Sequence, residues 1–96
     1  MKQIKFKAKL PVSIFREGNS FLAYTPALDI STSGKSYSEV KKRFSELVWI
    51  FLNEIIESGD LNTVLSDLGW QKIKKQWMPP VIISQKVEDF EMALKV

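Results

Sequence analysis

The chain has no cysteine and no histidine among its 96 residues. Without cysteine there is no disulfide, no thiolate nucleophile and no cysteine-based zinc site. Without histidine, the side chain that most often serves as general base near neutral pH is missing. Any catalysis would have to run on carboxylates, lysines or a bound metal alone, and no catalytic residue, metal ligand or cofactor is expected. Long apolar runs are missing too. The longest, residues 47–52, falls far short of the ~20 residues a membrane-crossing helix needs. The opening MKQIKFKAKL alternates lysine with apolar residues, unlike the continuous apolar block of a secretory signal. A cytoplasmic protein with no membrane segment is the expectation.

What remains is the composition of an ordinary globular chain, 45% hydrophobic and 26% charged, of a length that makes one domain. A chain this short buries a modest core, so oligomerisation would add stability. The net charge of +3 is unevenly spread. Residues 1–16 carry Lys2, Lys5, Lys7, Lys9 and Arg16 with no acid, and residues 70–86 carry Lys72, Lys74, Lys75 and Lys86 with none. Between them, residues 37–60 are acidic on balance.

Ile4, Phe6, Ala8, Leu10, Val12 and Ile14 recur with period 2, which predicts a strand with one wet face. Pro11 cannot donate to a ladder and marks an edge, bulge or break. Arg16-Glu17-Gly18-Asn19-Ser20 reads as a hairpin loop. Residues 21–25 form a second strand ended by Pro26, and a short third strand lies near residues 30–33. Ser36 followed by Glu39 fits a capping box. It opens a helix over residues 37–58 whose Val40, Phe44, Leu47, Val48, Phe51, Leu52 and Ile55 share one face. Glu39 and Arg43 are spaced to pair along it, and Gly59 is placed to stop it. A second helix is predicted over residues 61–68, capped by Asp60 and ended by Gly69. Beyond Pro79-Pro80, residues 81–83 are β-branched, and Phe90, Met92, Leu94 and Val96 alternate as in a strand.

The expected fold class is therefore α+β, a single domain over residues 1–96. It is a two-layer sandwich in which a three-stranded antiparallel β-meander precedes a long helix, a short helix and one or two C-terminal strands. One helix covers one face of such a sheet; the other, expected to carry the lysines, is left for water or a partner.

Gly18, residues 21–30 (FLAYTPALDI) and residues 33–40 (SGKSYSEV) together resemble the HicB family, the antitoxins of a type II toxin–antitoxin class. In that family a glycine hairpin leads to a strand ending in Pro-x-Leu, then Gly-x-Thr and a helix with Glu-Ala. Pro26-Ala27-Leu28, Gly34-Lys35-Ser36 and Glu39-Val40 keep this order and spacing. The likeness spans about residues 10–58, with a weaker echo at Leu68-Gly69-Trp70. Two departures stand out. Leu28-Asp29-Ile30-Ser31 replaces the family's frequent Leu-Pro-Gly-Cys. Nothing after Trp70 has a helical period long enough for the helix-turn-helix or ribbon-helix-helix that many members carry, so direct DNA binding is not expected. The resemblance implies a truncated RNase H-like fold, self-association as a dimer or higher oligomer, and masking of a small mRNA-cleaving toxin of the HicA type. A nuclease of that fold needs an acid on its first strand to hold metal, and residues 1–15 contain no Asp or Glu.

Three groups of residues are candidates for contact. Trp49, Ile50 and Ile56 fall outside the helix's buried face, and large apolar groups exposed together point to an oligomer or partner surface; packing against the C-terminal segment is the alternative. Lys5, Lys7 and Lys9, about 6.6–6.8 Å apart if on one strand face, would suit nucleic-acid phosphates or simply keep a sheet edge solvated. Trp70 and Trp77 with Lys72, Lys74 and Lys75 mix aromatic and basic side chains as single-strand binders do, or else belong to the core. Stand-alone nucleic-acid binding and a purely structural oligomerising domain are thus the rivals to toxin masking. Asp29 reads as a turn residue bonding its own backbone.

Overall fold

The computed structural model describes residues 6–95. The element order is β1 (Ser13–Glu17), β2 (Ser20–Thr25), β3 (Ile30–Gly34), α1 (Tyr37–Glu57), α2 (Leu61–Asp67), β4 (Gln71–Ile73) and β5 (Gln76–Met78). The first three strands form an antiparallel sheet in the order β1-β2-β3, and β4-β5 form a separate hairpin. This is the α+β meander, long helix, short helix and C-terminal strand pair that the sequence predicts.

The first strand starts later than its periodicity implies. Ser13 pairs with Tyr24 as the last rung of the β1-β2 ladder. Continuing that register would set Pro11 against Pro26, two residues with no N–H to give. Residues 6–12 therefore run outside the sheet, and the ladder instead extends to Glu17↔Ser20 around a tight turn in which Gly18 has φ +56°.

Side chains alternate across the sheet. Ile14 and Phe21 face α1, beside the buried Ala23, and close on Val40 and Phe44. The other face carries Phe15, Leu22 and Tyr24, beside Ser31 and Ser33, and not the lysine row expected there. The end of β3 comes so close to α1 that a Cβ at Gly34 would lie 2.9 Å from the Val40 backbone nitrogen. Only glycine fits there without moving backbone.

Helix α1 opens as its sequence dictates. Ser36 Oγ accepts from the Glu39 N–H at 3.1 Å, and Glu39 reaches back to accept from the Lys35 N–H, one residue earlier than a standard capping box. Glu39 and Arg43 pair at 2.9 Å; both are solvent-accessible, so the pair adds only a few tenths of a kcal/mol. Gly59, at φ +80°, ends the helix. Asp60 precedes α2 but makes no side-chain cap; its carboxylate accepts from the Ser58 hydroxyl at 3.0 Å.

A second core lies at the end of the sheet, where Ala27, Leu28, Leu65 and Trp70 are buried. Full burial of Leu28 and Leu65 stabilises by about 1.5–3 kcal/mol each. Trp70 closes this core: its indole N–H donates to the Ala27 carbonyl at 2.7 Å, joining positions 43 residues apart, and Phe6 packs on its ring at 6.1 Å between centroids.

The C-terminal strands are displaced from their predicted positions. The hairpin occupies residues 71–78, where the sequence is polar and basic, while residues 79–95 form no strand among the described residues. That tail leaves the body, giving a long axis of 65 Å and a radius of gyration of 17.0 Å, against about 12.5 Å for a compact chain of this length.

Candidate docking surfaces

On α1, Trp49 is 66% exposed, with Ile50 and Ile56 about half exposed. Trp49 and Ile56 are seven residues apart and share a stripe; Ile50 flanks it. Glu46, Glu54 and Glu57 surround them on the same outward surface. The helix thus offers an apolar patch flanked by these three acids, with the exposed Lys42 and Arg43 on the same surface two turns toward its N-terminus. The tail does not cover it, since Val87, Phe90, Met92 and Leu94 are themselves at least 84% exposed.

Segments from the two ends of the sequence meet, with the cations on one side only: Lys72, Lys74, Lys75 and Lys86 do not line the groove between them. Lys7 and Lys9 line an open groove of about 750 Å³ whose other wall is residues 76–82, with Trp77, Met78 and Pro79 forming its apolar floor. Both lysines sit in the irregular segment before β1, so the evenly spaced strand row does not exist; Lys5 lies outside the described residues. Lys72 is paired across the hairpin with Trp77, its ammonium 5.8 Å from the ring centroid.

Sequence reasoning missed the turn between β4 and β5. Lys74 and Lys75 both adopt positive φ, +51° and +67°, the backbone of a two-residue hairpin turn that favours Asn-Gly. A lysine in this region is held at a cost of order 1 kcal/mol or more. The chain keeps two positive charges at a strained corner, and neither glycine nor asparagine was there to signal it.

Of the two aromatic candidates beside these lysines, Trp70 is 3% exposed and belongs to the core, so its ring is not presented to a partner. Trp77 is half-buried at the groove. Asp29, at φ +54°, accepts not from its own backbone but from the Tyr24 hydroxyl at 3.0 Å. That hydrogen bond, then desolvation and the carboxylate's charge, hold the Tyr24 phenol above its ordinary pKa.

Among the described residues no three Asp or Glu side chains gather as metal ligands, and no helix is long and apolar enough to cross a membrane. No protein-family model, curated protein or solved structure matches the chain.

Proposed function

We propose that this chain is an antitoxin-like protein of the HicB type, acting in the cytoplasm by binding and masking a small mRNA-cleaving toxin of the HicA type. The carrying observation is the exposed Trp49–Ile50–Ile56 patch, flanked by Glu46, Glu54 and Glu57 with Lys42 and Arg43 at its N-terminal end. A toxin that grips RNA is basic, and an aromatic anchor flanked by acids is the surface that would steer and hold it. The ordered motifs Pro26-Ala27-Leu28, Gly34-Lys35-Ser36 and Glu39-Val40 add the family likeness. Masking would be steric and electrostatic: the patch covers the toxin's RNA-binding face without bond-making chemistry.

Co-expression with the adjacent reading frame and affinity capture of one partner tests the reading. Both proteins are expected in one complex, and Trp49→Glu with Ile56→Glu should weaken it by at least ~30-fold while leaving the circular dichroism spectrum intact. Clean separation of the two proteins, or full-strength binding by the double variant, refutes it.

A second reading rests on the strained lysine turn, on Lys72 over the Trp77 ring, and on Lys7 and Lys9 in the groove that Trp77 also lines: a nucleic-acid-binding corner. It requires affinity for single-stranded RNA or DNA that falls steeply with salt. A mobility shift absent even at low ionic strength removes it.

A further inference from the structure

We propose that residues 90–94 add as a strand to the outer edge of β1 in a second copy of the chain, and that the exchange is mutual. Among the described residues β1 pairs only with β2, so its outer row of N–H and C=O groups is open, a template for another strand. α1 packs over β2 and β3, and its Arg43 donates to the Ser33 carbonyl at 3.1 Å. Toward β1 the helix leaves a notch of about 270 Å³, lined by Val12, Ile14, Tyr37, Lys41 and Phe44 among others. A strand laid on β1 would send every second side chain to the helix side of the sheet, toward that notch.

The tail supplies such a strand. Phe90, Met92 and Leu94 alternate with Glu91 and Ala93 and are 84%, 87% and 85% exposed. Five residues match the five of β1. Glu88 and Asp89, just ahead, carry charge opposite to that of Lys41. The tail's own β1 is a poor target. Pro79-Pro80 stiffens the exit, no glycine follows Gly69 to turn the chain back, and the tail runs out along the 65 Å axis.

The area is also sufficient. At roughly 100 Å² per buried apolar side chain, three side chains and the notch surface they cover give about 600 Å² per arm. Two reciprocal arms give about 1,200 Å², within the range of stable interfaces.

The absence of cysteine makes the test clean. Copies bearing Met92→Cys are mixed with copies bearing Tyr37→Cys, oxidised and resolved without reductant, beside sedimentation velocity of the unmodified chain. The expected results are a sedimenting dimer and a cross-linked species of twice 11.1 kDa containing one of each variant. Phe90→Glu with Leu94→Glu should raise the dimer dissociation constant by roughly 100-fold or more with unchanged circular dichroism. A chain that stays monomeric at every concentration overturns the proposal. So does a dimer indifferent to the tail substitutions, or a Met92→Cys/Tyr37→Cys double variant that cross-links only within itself. No arm involves a toxin, so this outcome is independent of the masking reading.

Discussion

Trp70→Phe probes the one side-chain hydrogen bond among the described residues that ties the C-terminal third of the fold to the chain just before β3. The indole N–H donates at 2.7 Å to the carbonyl of Ala27, which is 1% exposed. Phenylalanine keeps most of the apolar bulk and the packing with Phe6, but leaves that carbonyl buried without its donor. An orphaned buried acceptor costs about 1–3 kcal/mol, and the lost ring volume adds about 1 kcal/mol. The expected destabilisation is about 2–4 kcal/mol, a large share of the stability of so small a domain. Trp70→Ala removes the packing as well, and the same site should then lose about 3–5 kcal/mol. Urea titration followed by far-ultraviolet circular dichroism reads both: with a slope of about 1–3 kcal/mol per molar, the Phe variant's midpoint should fall by about 1 M or more. A Phe variant within about 0.5 kcal/mol of the parent would show that Ala27 finds another donor and that the indole bond does not anchor the hairpin.

Four further outcomes are expected. Gly34→Ala forces a Cβ to within 2.9 Å of the Val40 backbone and should cost about 1–3 kcal/mol, read as a lowered thermal midpoint. Ser36→Ala, which removes the N-cap acceptor of α1, should cost about 1 kcal/mol by urea titration. Replacing Lys74-Lys75 by Asn-Gly relieves two strained positive-φ residues and should raise stability by about 1 kcal/mol, while weakening any salt-sensitive nucleic-acid binding. Asp29→Asn should lower the Tyr24 pKa, measured by phenolate absorbance in a Tyr37→Phe background. Because folding raises that pKa, the protonated phenol is the favoured form. Its contribution is complete below the ordinary tyrosine value and is lost as pH climbs through the raised one.

The parts legible in the sequence were those set by local rules. Ser36 and Glu39 announced the start of α1, the 3.6-residue recurrence from Val40 to Ile55 its buried stripe, and Gly59 its end. Long-range pairing was harder to read. The period-2 pattern of residues 4–14 was real, but the ladder stops at Ser13 because Pro26, fifteen positions away, leaves Pro11 no partner. The β4-β5 hairpin was hidden because Lys74-Lys75 carries none of the usual turn chemistry, and its small strands lack β-branched density. Conversely, residues 81–83 and 90–94 have strand composition, and among the described residues no strand pairs with them. Of the contact candidates, exposure of Trp49, Ile50 and Ile56 followed from helical phase alone. That Trp70 faces the core while Trp77 lines the groove is decided by the Ala27 carbonyl, which no local pattern points to.

Three indoles in three settings make the chain its own reporter. Trp49 stands 66% exposed on α1, Trp77 lies half-buried in the groove, and Trp70 is sealed at 3%. Fluorescence from Trp49 should emit furthest to the red and yield first to iodide quenching, and that from Trp70 last. A ligand settling on the helix would shift the first signal to the blue and leave the third untouched, whereas loss of the fold would redden the third. Occupancy and integrity can thus be followed separately, without attaching a dye.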